Sequence, residues 1–566
     1  MTKALKLPIL SRMKENKPVT IQSDATLLVD VHDPAFEEAR NDISVFAELE
    51  KSPEHIHTYK LSSLSLWNAA SAGISPEQII SRLDKWSKYE IPENIIFRIK
   101  ESAGLFGKII LLPSDDPYTL ILKVTDTKIY NEIRALKKVA KILTPTDMEE
   151  ESFFLKLIDR GTLKQELINW GFPVKDEVPL KKGSALDITF RETTLSGYTF
   201  SLRDYQKEAA HAFYGEGKPG NGFGTIVLAC GSGKTVVGMK VMEICKTNTL
   251  ILTTNITAVR QWQNELMDKT NLKEEQIGEY TGDKKVIRPV TIATYQILTW
   301  RPDKDSDFPH FDIFRKGDWG LIIYDEVHLL PAPVFRVTAE LQAIGRLGLT
   351  ATLIREDKRE TDVFSLVGPK RFDCPWKTLQ EKGWIAEANC FEIRTELPQN
   401  LEVPYAVSDK REKFRIAAEN PIKFEIVKDI IENHREDSIL VIGQYISQLK
   451  KIQQLIKVPI ITGQTPNSER EKIFNLFRKG EEKIIIVSKV ANFAVDLPDA
   501  SVAIQISGSF GSRQEEAQRL GRILRPKEKN AYFYSIVSHN TVEEEFSANR
   551  QKFLTEQGYK YHIELR

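Results

Sequence analysis

The sequence predicts an α/β protein with two parallel-sheet domains in tandem, preceded by small mixed α+β N-terminal domains. Between residues 197 and 368, short continuous apolar runs alternate with amphipathic stretches of helical period. The runs are Leu250-Ile251-Leu252, Val290-Thr291-Ile292-Ala293, Leu321-Ile322-Ile323-Tyr324 and Arg346-Leu347-Gly348-Leu349. Runs without in–out alternation belong to strands covered on both faces. The same alternation returns between residues 422 and 537, at Ile439-Leu440-Val441-Ile442, Ile484-Ile485-Ile486-Val487 and Val502-Ala503-Ile504-Gln505-Ile506. Only the first half carries a strand that breaks into a glycine-rich turn.

The elements before these halves read as two units, residues 1–107 and 108–191. In the first, Thr26-Leu27-Leu28-Val29-Asp30-Val31 predicts a strand, and Asp33-Pro34 opens a helix expected to end near Leu49. Residues 64–72, Gly73 and the stretch from Ser75-Pro76 read as helix, turn, helix. That spacing permits a DNA-touching helix-turn-helix, but the second helix is not basic, so a small helical packing unit is preferred. In the second unit, Ile109-Ile110-Leu111-Leu112 and Tyr118-Thr119-Leu120-Ile121-Leu122 suit a hairpin. Two helical stretches and a closing strand at residues 185–190 complete it, with no constellation of catalytic residues.

The chain has 566 residues, 41% of them hydrophobic and 28% charged, with 79 basic and 79 acidic residues. That length suits three or four domains, each with its own core. The balanced charge advertises no polyanionic partner, yet a local basic groove would suffice. Four cysteines without a CxxC pair argue against a disulfide scaffold, a zinc ribbon or an iron–sulfur cluster. No apolar run is long enough to span a membrane, and residues 1–17, interrupted by Pro8, read as a plain tail. The expected location is the cytoplasm.

The stretch Gly224-Thr225-Ile226-Val227-Leu228-Ala229-Cys230-Gly231-Ser232-Gly233-Lys234-Thr235 is a strand feeding a helix through glycines. Such a turn aims backbone N–H groups and a helix N-terminus at one spot, which suits polyphosphate. Gly231, Ser232 and Gly233 would cradle the phosphates of ATP, Lys234 would reach the β/γ-phosphates, and the Thr235 hydroxyl would bind Mg²⁺. Leu228 stands where the strict pattern has its first glycine. Asp325-Glu326-Val327-His328 follows a strand directly, at the edge where open α/β sheets place ligands. Asp325 suits Mg²⁺ and Glu326 suits the attacking water, although a strand-end acidic pair can also cap the next helix. In the second half, Arg522 and Arg525 share a helix face beside Gln518. They read as a solvated basic face, or as arginine fingers delivered to a nucleotide on the first half.

The P-loop, the DEVH sequence, Thr350-Ala351-Thr352 and Gln518-x-x-Gly521-Arg522-x-x-Arg525 together resemble a superfamily-2 helicase. Leu349-Thr350-Ala351-Thr352-Leu353-Ile354-Arg355-Glu356-Asp357 is similar to the TAT and RED motifs of the XPB family. Leu202-Arg203-Asp204-Tyr205-Gln206 resembles that family's adenine-reading Q motif, and Pro53-Glu54-His55-Ile56-His57-Thr58-Tyr59-Lys60-Leu61 an N-terminal segment of it. The compact length is similar to prokaryotic members.

The resemblance implies a RecA-like motor domain over residues 192–368 and a second over 369–566. ATP lies between them, with Arg203 and Gln206 on the adenine and Asp496 at the ribose. It assigns His328, Thr350 and Thr352 to communication between ATP and DNA. Thr253-Thr254-Asn255 and Thr294-Tyr295-Gln296 match segments that grip the phosphates of one strand. Arg355, Glu356 and Asp357 would assist unwinding. A damage-recognition-like domain near residues 108–191 and a thumb-like insertion near 402–420 are implied as well. Lys410, Arg411 and Lys413 of the insertion are expected to meet DNA; with Asp409, Glu412 and Glu419 among them, a solvated hairpin is the other reading. Where many members carry Gly-Asp-Thr, this chain has Ala491-Asn492-Phe493, which puts that strand contact in doubt. The implied activity is an ATP-dependent 3′→5′ DNA helicase and translocase in DNA repair, monomeric and nucleoid-associated. Its DNA would be single-stranded, forked or duplex, and some relatives imply a repair nuclease as partner. The alternatives are a duplex translocase that does not separate strands, an RNA-directed helicase, and a non-catalytic ATP-gated module.

Overall fold

The computed structural model describes residues 17–51, 55–116, 118–146, 151–218, 220–229, 231–303, 306, 308–342, 344–351, 360–374, 376–384, 386–488, 500–508, 530–556 and 559–566. They fall into two compact units, Met1–Pro179 with Phe364–Lys370, and Leu180–Val363 with Arg371–Arg566. Among the described residues no helix is long and apolar enough to cross a membrane.

Among the described residues, the first unit has two main cores, each built on a sheet. An antiparallel sheet runs Val19–Ile21, Thr26–Asp30, Ile56–Lys60, Glu48–Lys51 in spatial order. The helix opened near Asp33-Pro34 is shorter than its sequence suggested. It spans Phe36–Ile43, and Leu49 lies in a strand. Helices Ser63–Ser71 and Pro76–Trp86 each start on a serine cap and turn at Gly73, whose φ is +85°. The second helix turns Ile79, Leu83 and Trp86 into the core, which is the packing role rather than a DNA-reading one. The second core lies on a five-stranded sheet ordered Leu143–Pro145, Ser152–Lys156, Thr119–Val124, Ile109–Pro113, Lys175–Asp176. Its central pair is the expected hairpin. Phe364 belongs to this unit too, packed on Trp67 and Phe106.

Residues 185–190, expected to close that small domain, lie in the second unit instead. Ala185 bridges Thr247, Phe190 bridges Thr270, and Leu186 and Ile188 are buried in that unit's core. A short apolar run does not say which sheet it joins, and here the neighbours are on the other side of the linker.

The second unit contains two seven-stranded sheets of RecA-like design. The first is ordered Ile277–Tyr280, Val290–Thr294, Thr249–Thr253, Leu321–Asp325, Gly345–Thr350, Phe223–Leu228, Lys370–Cys374. Its first six strands pair in parallel. The second is ordered Ile460–Ile461, Ile484–Ser488, Ile439–Gly443, Val502–Gln505, Ala531–Ser538, Ala388–Thr395, Tyr561–Leu565, all parallel. Nearly every residue of the central strands is buried, as continuous apolar runs require. Parallel register brings the carboxyl ends of adjacent strands into line. Asp325 pairs with Leu349, Val227 with Thr350, and Thr253 with Thr294. The first lobe's motif residues therefore form one row along one edge.

Candidate active site

The row is centred on the turn between strand Phe223–Leu228 and helix Lys234–Cys245. Gly231 and Gly233 adopt φ of +78° and +84°, a left-handed backbone that disfavours side chains. A Cβ on Gly233 would also lie 2.6 Å from Gln206 Nε2, so a side chain there would have to displace the Gln206 amide. Ser232 is buried, and its hydroxyl donates to the Ala229 carbonyl at 2.7 Å. Its own carbonyl accepts from Tyr205 OH at 2.5 Å and Gln206 Nε2 at 3.0 Å. Arg203 donates to Tyr205 OH at 3.1 Å and lies 4.5 Å over the Trp384 ring. Of the two residues expected at the adenine, Gln206 is thus bonded directly to the phosphate turn and Arg203 through Tyr205. Thr235 is half-buried in the first turn of the helix.

Two strands away, Asp325 ends its strand half-buried, and Glu326 turns the chain with φ +51° and ψ +55°. A left-handed glutamate is strained by about 1–2 kcal/mol, and the turn aims its carboxylate at the phosphate loop. Lys234 Nζ donates to Glu326 Oε1 at 2.8 Å. The pair is only partly shielded, with 12% and 21% of the side chains exposed. Burial would raise the Glu326 pKa, but the charges of Lys234 and His328 outweigh it and hold the carboxyl below its ordinary value. Asp325 goes the other way. Burial, and then the neighbouring Glu326 charge, push it up to about 6 against the pull of Lys234 and a hydrogen bond from Trp262. Two adjacent carboxyls with opposed shifts are what distinct chemical roles require. A carboxylate and a hydroxyl are hard oxygen donors, and Mg²⁺ needs few of them from protein when phosphates and water complete its shell. Asp325 and Thr235 fit that ion.

His328, 3% exposed, shares a 2.7 Å hydrogen bond between its Nδ1 and Thr350 Oγ1, and Nδ1 lies 3.5 Å from Glu326 Oε2. The acidic turn and the adjacent strand end are thereby joined. In the two segments expected to grip a strand, two hydroxyls bond within the lobe. Thr253 is fully buried beside the Ala293 and Asn255 carbonyls, and Thr294 is 3% exposed and caps the Ile297 N–H. Both hydroxyls are held inside the lobe, where strand ends must be capped. Thr254 and Asn255, half-buried and bonded to each other, remain presentable. In the expected thumb, helices Gln399–Val407 and Lys410–Ala418 form a pair. Lys410 lies over the Phe546 ring and Lys413 over Tyr405, while Arg411 is exposed. Two of the three cations expected at DNA therefore already face aromatic partners. Thr352, Arg355, Glu356, Asp357, Asp496, Gln518, Arg522, Arg525 and the Ala491-Asn492-Phe493 departure lie outside the described residues.

Sequence reasoning missed Trp262 and Tyr205. Both reach the site through tertiary contacts, and Trp262 sits in the amphipathic helix Ile256–Lys269, where an indole reads as core.

Tandem RecA-like lobes with a phosphate loop and a DEVH turn define a nucleotide-driven motor of the helicase class. Three segments match family profiles: residues 379–565 the "ERCC3/RAD25/XPB C-terminal helicase", 199–355 the "Type III restriction enzyme, res subunit", and 19–146 a "Helicase conserved C-terminal domain". The chain is 46% identical to "DNA 3'-5' helicase XPB" of Kineococcus radiotolerans over 96% of each chain. It is 45% identical to the Mycobacterium tuberculosis protein of the same name, over 96% of this chain and 97% of that one. A TFIIH "helicase/translocase subunit XPB" of Enterocytozoon bieneusi is 32% identical, over 97% of this chain and 93% of its own. The chain belongs to the XPB helicase family.

Proposed function

We propose that this chain is an ATP-dependent 3′→5′ DNA helicase and translocase acting in DNA repair. The observation that carries the reading is the Lys234–Glu326 pair, 2.8 Å apart beside the phosphate loop, in a chain so similar to proteins named DNA 3'-5' helicase XPB. Without nucleotide, the lysine sits on the carboxylate and depresses its basicity. Polyphosphate entering the loop competes for the lysine, and Glu326 is released to orient and deprotonate water. ATP binding thus assembles the base that consumes it. Asp325 and Thr235 would hold Mg²⁺, which neutralises charge developing on the phosphates.

Gln206 and Arg203 address the base of the nucleotide and pass its presence to Ser232, Gln206 directly and Arg203 through Tyr205. The His328–Thr350 bond links hydrolysis to the strand end next to the phosphate loop. Thr254, Asn255 and Arg411 are the proposed DNA contacts; Thr352, Arg355, Glu356, Asp357, Lys410 and Lys413 extend that role by resemblance. Arg522, Arg525 and Gln518 are proposed to complete the γ-phosphate environment from the second lobe, and Asp496 to reach the ribose. Contacts to phosphate carry no sequence information, which suits a motor that must pass over any sequence.

The test is ATP turnover with no DNA, single-stranded, duplex and forked DNA at fixed salt, beside strand displacement. Stimulation by DNA with unwinding of a 3′-tailed substrate is expected; turnover indifferent to DNA would sink the reading. A second reading has support in the relatives named "helicase/translocase". If triplex displacement proceeds and strand displacement does not, the chain is a duplex translocase.

A further inference from the structure

Trp262 is 1% exposed and lies midway along helix Ile256–Lys269. Its indole touches two parts of the site, and its helix begins at a third. Nε1 donates to Asp325 Oδ2 at 2.9 Å. On its other edge, a Cβ added at Gly238 would lie 2.6 Å from Cη2, so the ring is seated against the phosphate-loop helix at a position only glycine leaves open. Its own helix begins at Asn255, whose side chain accepts the Ala258 N–H at 2.9 Å beside Thr254. On the opposite side of the same aspartate, Tyr295 OH donates to the Asp325 carbonyl at 3.0 Å.

Resting on the reading of Asp325 as the metal carboxylate, we infer that Trp262 is a positioning residue for it: the indole N–H fixes the carboxylate so that one oxygen is held by protein and the other is turned to the nucleotide's Mg²⁺. A buried tryptophan seeks a partner for its N–H, and a charged acceptor is the strongest available. Ring and carboxylate are both set from the phosphate-loop helix, since Gly238 fixes the depth of the ring. The carboxylate is therefore oriented before the ion arrives, as metal sites with few protein donors require.

The test is equilibrium titration of the full chain with ADP, in Mg²⁺ and in EDTA, the ratio of the two affinities being the metal-dependent gain. Trp262→Phe keeps a ring but removes the donor. It is expected to lower the gain about tenfold while metal-free ADP affinity stays within about twofold. In an Asp325→Ala background the same change should cost no further gain, because both act through one carboxylate. A Trp262→Phe chain that melts as the parent does and keeps the full gain overturns the inference, as does an equal loss in both backgrounds. Should Trp262→Phe fail to fold, Gly238→Ala displaces the ring while leaving its N–H. An unchanged gain there overturns it equally. A parent chain with no metal-dependent gain refutes the Asp325 reading itself, an outcome separate from any behaviour of the variants.

Discussion

The two lobes are built alike, and the carboxyl edges of their sheets hold charge in opposite ways. In the first lobe, Lys234 and Glu326 meet at 2.8 Å with 12% and 21% of their side chains exposed, beside a strained turn and glycines in left-handed backbone. In the second, Lys423 and Glu543 meet at 2.6 Å with nothing exposed. Lys423 also donates to the Ile506 carbonyl, and Glu543 accepts the Ser538 N–H. Around them, Gln448 donates to Ala418 O and accepts from Ser507, while Asn420 donates to Glu396 O and Ser538 Oγ. The outer pair can exchange partners with an arriving phosphate. The inner pair cannot part without leaving a buried charge. Chemistry lies where an ion pair is exposed enough to be traded, and architecture where it is sealed from any competitor.

The comparison breaks first at Glu326. Glu326→Gln keeps a partner for Lys234 but cannot take a proton, so steady-state ATP turnover should fall by about 10²–10⁴-fold, with nucleotide binding intact. Unchanged turnover would mean that the exchangeable pair is not the base. Lys423→Met sharpens the other side. It strands Glu543 in the core and should cost about 3–5 kcal/mol, read as earlier unfolding of the intact chain. Lys234→Ala, which leaves Glu326 in reach of water, should cost about 1 kcal/mol or less in the same melt while abolishing turnover. If both lysines proved equally important to the fold, the distinction would fail.

What the sequence made legible follows the same division. The phosphate loop and DEVH turn were readable because their chemistry is local. Glycines, one lysine and one acidic pair sit where a strand ends, and strands of unbroken apolar residues mark where that is. Lys423 was not readable, since Ile422-Lys423-Phe424-Glu425 has the look of a solvated helix face and its partner lies 120 residues away. Strands Lys370–Cys374 and Ile460–Ile461 were missed for a related reason, one being charged and the other two residues long. Both join a sheet because a neighbour offers an unpaired edge. The run at residues 185–190 was read as a strand of the wrong domain. The partners of the Thr253 and Thr294 hydroxyls were not readable either, since the hydroxyl of a buried strand end goes to the nearest carbonyl or helix cap.

Asp325 supplies a test of intermediate size. Its carboxyl is raised to about 6, first by burial and then by Glu326, so in the nucleotide-free chain it carries a proton over part of the mildly acidic range. A raised acid binds its proton more tightly folded than unfolded, and the ionised form is the one that Mg²⁺ needs. Mg²⁺-dependent ADP affinity should therefore hold steady above that pH and fall about tenfold per pH unit below it, while metal-free affinity changes less. A flat profile down to pH 5 would place Asp325 outside the metal site and return the first lobe to a purely lysine-based exchange.

The smallest effect should come from Trp384. Its ring lies under Arg203, which bonds Tyr205, which in turn bonds the Ser232 carbonyl. That chain runs from a partly exposed aromatic to the phosphate loop without touching Lys234, Asp325 or Glu326. Removing the ring should loosen Arg203 and leave the exchangeable pair intact. A cation over an aromatic at such a site is worth about 0.5–1 kcal/mol, so Trp384→Ala should raise the KM for ATP by about two- to fivefold with kcat unchanged. An effect on kcat would mean that the adenine side and the base are not independent. The first lobe's edge would then be one cooperative network, as sealed in its behaviour as the second.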